Sequence, residues 1–266
     1  MFIFVLSLLF GFFLGILAFS LPKVDSGNVA SWYYDDADDE LRNKLPVAEV
    51  VGPFSVRPEC EVCSKKQSRV SLIPIFGFFL AKLDWNGCCF KLHFKMLAIQ
   101  VSTYCVVLTV IPDVISDLYF VPVFVLSCAL IVASFIDYSH KYVPSVLLLI
   151  IFIASLGVIS FGHSYHAEYH YLQSLGVFSF LSLLNLGRVR LGAADIIIIS
   201  SFALFLELSV LIEVTYLAVI FAAIQFSLYK VVSREQNLLA FVPSLFLSFF
   251  IIVLCGLDFF QVVVDF

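Results

Sequence analysis

Charged side chains are scarce in this chain. Asp, Glu, Lys and Arg together make up 13% of its 266 residues, whereas hydrophobic residues make up 62% and the mean hydropathy is +1.05. A soluble core of this size does not bury so much apolar surface, so an ordinary soluble domain is excluded. Only 15 residues are basic against 20 acidic ones, and no nucleic-acid partner is predicted. The expected partner of the apolar surface is the lipid bilayer.

The first apolar stretch lacks the marks of a cleaved signal peptide. No basic residue precedes it, and no small-x-small cleavage site follows it. Residues 1–21 are therefore predicted to be a retained first transmembrane helix. Gly11 and Gly15 lie four residues apart on one face of it, a spacing that permits close contact between helices.

Lys and Arg are also absent from every second connector between the apolar stretches. Most of the 15 basic residues lie between residues 22 and 93, which makes this segment a large cytoplasmic loop and places the N-terminus outside. Later connectors alternate: those after Asp137, Leu186 and Leu228 carry Lys or Arg, and those between them carry none. All basic residues then lie on one side of the membrane.

The predicted fold is all-α: a polytopic membrane protein of about eight transmembrane helices. Each apolar run approaches the roughly 17 to 25 residues that cross a bilayer as a helix. Residues 94–257 form a seven-helix membrane domain, and residues 258–266 a short extracytoplasmic tail. The predicted spans are residues 1–21, 94–112, 118–137, 143–162, 171–187, 194–209, 212–230 and 238–257.

Two aspartates stand at the ends of these predicted helices. Asp137 ends the third span and Asp195 begins the sixth, so both lie at the cytoplasmic membrane face. An aspartate in hydrocarbon costs roughly 2.5 to 3.5 kcal/mol on insertion scales, which favours a functional interpretation. Two carboxylates held close together can share a proton and then act as acid and base. From spacing alone, the simpler alternative is that each marks a helix end, with Asp195 as a capping residue after Gly192.

Both aspartates lie in segments that resemble motifs of one protease family. The segment F-I-D-Y-S-H-K-Y-V-P, residues 135–144, resembles the first aspartate motif of the type IV prepilin peptidases, in which a proline, here Pro144, opens the next helix. The segment L-G-A-A-D, residues 191–195, is similar to the G-x-G-D motif that this family shares with presenilin-like intramembrane aspartyl proteases. Its supporting residues are Gly192, Ala193 and Ala194.

The resemblance continues beyond the aspartates and also shows departures. The segment F-V-P that ends at Pro243 is similar to the opening of the family's last helix. Ala194 replaces the middle glycine of G-x-G-D, and Ile197 replaces a common lysine. Gln100 occupies the position of an acidic residue of the family.

Four cysteines in the polar loop leave two interpretations open. Cys60 and Cys63 resemble the family's first C-x-x-C pair, but Cys88 and Cys89 are adjacent, so the second pair is broken. A zinc tetrathiolate normally takes two ligands from each of two C-x-x-C knuckles. The loop is either a structural zinc site or folds without metal.

The resemblance implies a membrane aspartic endopeptidase of the bacterial inner membrane. It would cleave the basic leader from type IV prepilins or pseudopilins at the cytoplasmic face, beside a substrate glycine, with Asp137 and Asp195 as catalytic residues. Proteolysis would need no cofactor. The family's second activity, S-adenosylmethionine-dependent N-methylation of the new N-terminus, is disfavoured by Gln100.

Other functions remain open at this stage. The chain could be a related G-x-G-D protease with another client, such as a preflagellin, or a non-catalytic homologue. It could also be a transporter that uses the two aspartates for protons, although the internal repeats typical of transporters are not visible. No substrate-binding residue is assigned, and Lys141 and Arg188 either position the substrate or anchor the chain at the headgroups.

Two further clusters have weaker functional interpretations. His163, His166, His170 and Glu168 have a spacing compatible with metal binding, but they fall on the outer face, where an interfacial loop is the preferred interpretation. The acidic run at residues 35–40 could attract a basic leader, or it could simply be a solvated loop.

Overall fold

The described part of the chain is helical. The computed structural model describes residues 7, 9–18, 21, 90–116, 120–161, 167–186, 191–232 and 240–256, and its regular structure within these ranges consists of helices. The all-α prediction is confirmed for these residues. The chain divides into two compact units, Met1–Tyr104 and Cys105–Phe266. The four cysteines of the polar loop and the acidic run lie outside the described residues.

The helices lie where the predicted spans lie. In chain order they are α1 (Leu9–Ala18), α2 (Phe90–Ser116), α3 (Phe120–His140), α4 (Ser145–Phe161), α5 (Ala167–Leu186), α6 (Ala193–Phe202), α7 (Leu208–Val232) and α8 (Val242–Phe249), which continues as a π-helical turn, Phe250–Leu254. Among the described helices, the segments Val121–His140 and Leu208–Leu228 are long and apolar enough to cross a membrane. Several others are apolar but shorter, so the count of eight spans stays a prediction.

The first unit contains a close contact between α1 and the start of α2. Gln100 is buried on α2, and its Nε2 donates a hydrogen bond of 2.9 Å to the backbone oxygen of Ser7. A side chain at Gly11 would run into the Gln100 amide. Gly11 therefore permits the close approach that its place in the small-xxx-small pattern predicts.

Helix α3 is the central helix of the second unit. It packs against α4 and α8, α4 packs against α6, α6 packs against α5, and α8 packs against α7. Leu126, Leu130 and Ile131 on α3 are fully buried. Gly157 of α4 lies against Pro122 of α3, and a Cβ at Gly157 would lie only 3.0 Å from the Cβ of Pro122. The absence of a side chain at Gly157 therefore lets the two helices approach closely. The site described below therefore rests on the most enclosed part of this unit.

Helix α6 ends earlier than the sequence predicts. The sequence predicts a sixth span over residues 194–209, but α6 ends at Phe202 and a turn at residues 203–207 leads into α7. Ser201 donates its hydroxyl hydrogen to Ile197 O, and the Leu204 N–H bonds back to Ser201 O at 3.2 Å, three residues earlier. A hydroxyl bond to a backbone carbonyl competes with the regular backbone hydrogen bonds of the helix, and a bond to the third residue back gives a tighter, 3₁₀-like last turn. Hydropathy does not reveal either effect. The turn then lets Phe202 stack on Phe249 of α8, with ring centroids 5.0 Å apart.

Candidate active site

Asp137 lies in the last turn of α3 and its carboxylate holds the beginning of α8. The side chain is only 8% exposed. The Val242 N–H donates to Asp137 Oδ2 at 3.1 Å, and the backbone N–H of Phe241 lies near the same carboxylate. One turn earlier on α3, Ser134 Oγ donates to Val242 O at 3.4 Å. Asp137 and Ser134 thus bind the N–H and the carbonyl oxygen of Val242, respectively. These two bonds fix the Asp137 carboxylate at the N-terminus of α8.

The local sequence explains why α3 ends just beyond Asp137. Lys141 adopts a left-handed conformation with φ of 61°, and its N–H bonds to Asp137 O at 2.8 Å, which closes the helix. The chain is then non-helical to Pro144, whose carbonyl accepts the N–H groups of Leu147 and Leu148 at the start of α4. Pro144 precedes the next helix, as its motif predicts.

Asp195 lies in the first turn of α6 and folds back onto the residue before that helix. The backbone N–H of Gly192, the N-cap residue, lies close enough to act electrostatically on the Asp195 carboxylate. A Cβ at Gly192 would lie 2.7 Å from Asp195 Oδ2, which is too close. Because Gly192 has φ of −64° and ψ of 137°, ordinary angles for any residue, an added side chain would act by displacing the Asp195 carboxylate and not by straining the backbone. Ala193 and Ala194 are already helical, where alanine is the most favourable residue.

The described structure brings the two aspartates together. Asp137 and Asp195 are close enough for the charge of Asp137 to act on Asp195, although they lie on different helices. Helix α4 packs against both of these helices and fixes their spacing. Pro243, the last motif residue, lies in the first turn of α8 and directly follows the residue that donates to Asp137. The bundle thus brings together carboxylates that are 58 positions apart in the sequence (195 − 137 = 58).

Lys141 is the basic residue that the structure places beside this pair. Its charge acts on Asp137, and its Nζ lies 5.4 Å from the centroid of the Tyr138 ring. Arg188, the other predicted positioning residue, lies outside the described part of the chain.

Most of the predicted metal-binding residues lie outside the described part of the chain. Cys60, Cys63, Cys88 and Cys89 lie outside the described residues, as do His163 and His166. His170 lies half-buried on α5, and Glu168 is exposed on the same helix. Within the described ranges, His, Cys, Asp and Glu side chains form no group of three or more that could hold a metal ion. Zinc stays a prediction for the cysteine loop.

An apolar groove that the sequence did not predict lies beside Asp137. Its volume is about 530 Å³. It is lined by Tyr138 of α3, by Phe221, Ile224, Gln225 and Leu228 of α7, and by Pro243, Ser244 and Leu247 of α8. We call it the α7–α8 groove. Tyr138 follows Asp137 in sequence and Pro243 follows Val242, so the lining begins one residue from each partner of the hydrogen bond between Val242 and Asp137. The one sequence signal for it is Gln225, an amide within an otherwise apolar stretch of α7.

Comparison with known families decides which proteins this site resembles. Residues 124–227 match the Type IV leader peptidase family. The match begins in α3 and ends in α7, so it contains Asp137, Pro144, Gly192 and Asp195. The resemblance predicted from the two aspartate motifs is confirmed over this part of the chain. No curated protein and no solved structure matched the chain.

The match to leader peptidases bears on activity and location. It supports a peptidase, which the arrangement of two carboxylates in an apolar bundle also favours. Leader peptidases of this type are typically embedded in membranes, and the apolar helices α3 and α7 agree with that location. Cys60, Cys63 and Pro243 lie outside the matched residues.

Proposed function

We propose that this chain is a membrane aspartic endopeptidase that removes the basic leader from type IV prepilins or pseudopilins. The observation that carries the proposal is the pairing of Asp137 on α3 with Asp195 on α6. Carboxylates are costly inside an apolar bundle, and two of them that interact electrostatically are typical of sites of acid–base chemistry. The family match over both residues supports the same assignment.

Peptide hydrolysis at such a pair needs a single water molecule. One carboxylate takes a proton from the water as the water oxygen attacks the carbonyl carbon of the scissile peptide bond. The tetrahedral intermediate then collapses, the C–N bond breaks, and the other carboxyl group gives its proton to the departing amine. The chemistry proceeds without a metal ion and without a covalent intermediate between enzyme and substrate.

The contacts around each aspartate orient it for these proton transfers. The N–H of Val242 holds the Asp137 carboxylate at the start of α8. The Gly192 N–H acts electrostatically on the Asp195 carboxylate, which lies close to the Gly192 backbone. Groups fixed in this way lose less freedom when the substrate binds, so the reacting atoms stay aligned.

The charge pattern supports the proposed location. The positive-inside rule predicts that the ends of α3 and α6 that carry the aspartates lie at the cytoplasmic face of the membrane, with the N-terminus outside. A basic leader that remains in the cytoplasm would meet the site there. N-methylation is not part of the proposal, because Gln100 replaces the family's acidic residue and its amide binds the backbone of Ser7.

Co-expression of a prepilin in membranes tests this function. The unaltered protein is expected to shorten the prepilin by its leader, with the new N-terminus read by mass spectrometry. Asp137→Asn and Asp195→Asn are expected to leave the prepilin uncleaved at equal protein abundance. Cleavage that persists in either variant would remove that aspartate from the mechanism.

The same assay separates the alternatives. A preflagellin or a protein with a conventional signal peptide, co-expressed in place of the prepilin, is expected to remain intact. Cleavage of one of these clients alone would identify a related protease with a different substrate. If the unaltered protein cleaves none of the three, the chain is a non-catalytic homologue or a transporter.

A further inference from the structure

The α7–α8 groove has the composition of a binding site for apolar peptide. Its lining residues on α7 lie at positions 221, 224, 225 and 228, a spacing that puts them on one face of the helix. Ile224 and Leu247 are 51% and 43% exposed on its walls. A volume of about 530 Å³ lies within the range of roughly 300 to 1,000 Å³ that is typical of ligand sites.

Two polar side chains interrupt the apolar lining. Ser244 Oγ lies 3.5 Å from Gln225 Oε1, a long hydrogen bond, and the described structure gives Gln225 Nε2 no partner. An amide in an apolar environment is costly unless its donors and acceptors are paired. A lipid tail has no donor or acceptor to offer it, whereas a peptide backbone offers both. The side-chain amide of Gln225 therefore favours a peptide over a lipid tail as the occupant of the groove.

The lining of the groove includes the sequence neighbours of two residues of the Asp137 site. Tyr138, one wall of the groove, follows Asp137 at the end of α3, and Pro243 follows the residue whose N–H binds Asp137. A peptide that presents its scissile bond to Asp137 can therefore place its next residues between α7 and α8. Those residues meet mainly apolar side chains, so they must themselves be apolar.

We propose that the α7–α8 groove binds the apolar segment of the substrate that follows the cleavage site, with the Gln225 amide pairing with its backbone. This inference rests on the proposed function. It assigns a substrate-binding surface to α7 and α8, whereas the aspartates are supplied by α3 and α6.

A matched pair of tryptophan variants tests the groove. Ile224→Trp fills it, whereas Ile212→Trp changes the same residue type on the same helix, equally exposed at 51%, outside the lining. The substrate is a synthetic prepilin peptide with a basic leader, a Gly-Phe junction and an apolar segment. We expect Ile224→Trp to lower kcat/KM by at least about tenfold, since an occupied site excludes the peptide, and Ile212→Trp to leave it unchanged.

A second peptide separates a blocked groove from a damaged fold. In this peptide a Gly-Ser sequence replaces the apolar segment and the junction is kept. Cleavage of it should be slow but equal for the unaltered protein and Ile224→Trp. Gln225→Leu should weaken cleavage of the apolar peptide by about fivefold, mostly through KM, because one hydrogen bond to the backbone is lost. Equal rates for all variants on the apolar peptide would overturn the groove assignment.

Photocrosslinking measures binding without cleavage. A benzophenone amino acid in place of Leu247, in the Asp195→Asn background, should crosslink to the apolar peptide. The same residue in place of Leu172, exposed on α5, should not. If the unaltered protein cleaves nothing but Leu247 still crosslinks, the proposed function fails and the groove stands. If cleavage occurs but Leu247 does not crosslink, the groove assignment is wrong and the proposed function stands.

Discussion

At the scale of single residues, Gly192 shows how a position without a side chain can affect a neighbouring catalytic group. Its backbone angles suit any amino acid, so the requirement for glycine comes from the Asp195 carboxylate that folds over it. A small side chain at position 192 therefore acts on the site through the carboxylate it displaces.

Gly192→Ala should impair cleavage while leaving the fold intact. The added Cβ would lie 2.7 Å from Asp195 Oδ2, so the carboxylate must move. We expect at least a tenfold loss of kcat/KM, roughly the cost of misaligning a catalytic group. The measurement is prepilin cleavage at matched abundance.

Gly176→Ala on α5 is the control for that substitution. An added Cβ there meets nothing within 4 Å, and helical glycine is about 0.5–1 kcal/mol less favourable than alanine. Cleavage should be unchanged and thermal stability equal or higher. Unimpaired cleavage by Gly192→Ala would show that the Asp195 position tolerates displacement.

At the scale of secondary-structure elements, α3 and α8 depend on each other at one junction. Asp137 and Ser134 bind the first peptide groups of α8, and α8 in turn fixes the carboxylate. Asp137 is therefore proposed to have two roles, one chemical and one structural. Suitable substitutions separate them.

Asp137→Asn and Asp137→Ala should differ in stability but not in activity. An asparagine side chain still has an oxygen that accepts the Val242 N–H, whereas alanine leaves that donor unpaired. We expect both variants to be inactive and Asp137→Ala to be less stable than Asp137→Asn by about 1 kcal/mol. Thermal unfolding in detergent checks this, with a Tm difference of roughly 2–4 °C. Equal Tm values would mean that this hydrogen bond does not stabilise α8.

The sequence predicts the elements better than it predicts their partners. Apolar runs located the helices, and the two carboxylates stood out because charge is rare in such runs. The end of α6 at Phe202 was missed, since the apolar run continues through the turn at residues 203–207. The α7–α8 groove was missed as well, because it depends on which helix packs against α7. Hydropathy records composition along the chain and carries no information on pairing between helices.

At the scale of the whole molecule, orientation in the membrane decides which compartment the site serves. The alternation of basic and basic-free connectors predicts that the connector after α4 lies outside and the connector after α5 lies inside. The aspartates would then face the cytoplasm, where prepilin leaders remain.

Reporter fusions should confirm this orientation. Alkaline phosphatase, which is active only outside the cytoplasm, should be active when fused after His163 and inactive when fused after Val189. Fusions of a cytoplasmic fluorescent reporter at the same positions should give the opposite pattern. The reverse result for both reporters would place the aspartates outside and contradict the prepilin assignment.

The most direct test of the account is the cleavage rate of purified protein on the apolar prepilin peptide. We expect Asp137→Asn and Asp195→Asn each to lower the rate by at least about a thousandfold, since each removes one of the two proton-transfer groups. Glu207→Gln, which neutralises an exposed carboxylate in the turn before α7, should keep the full rate. A rate within tenfold of the unaltered protein in either aspartate variant would contradict the claim that Asp137 and Asp195 form the catalytic pair.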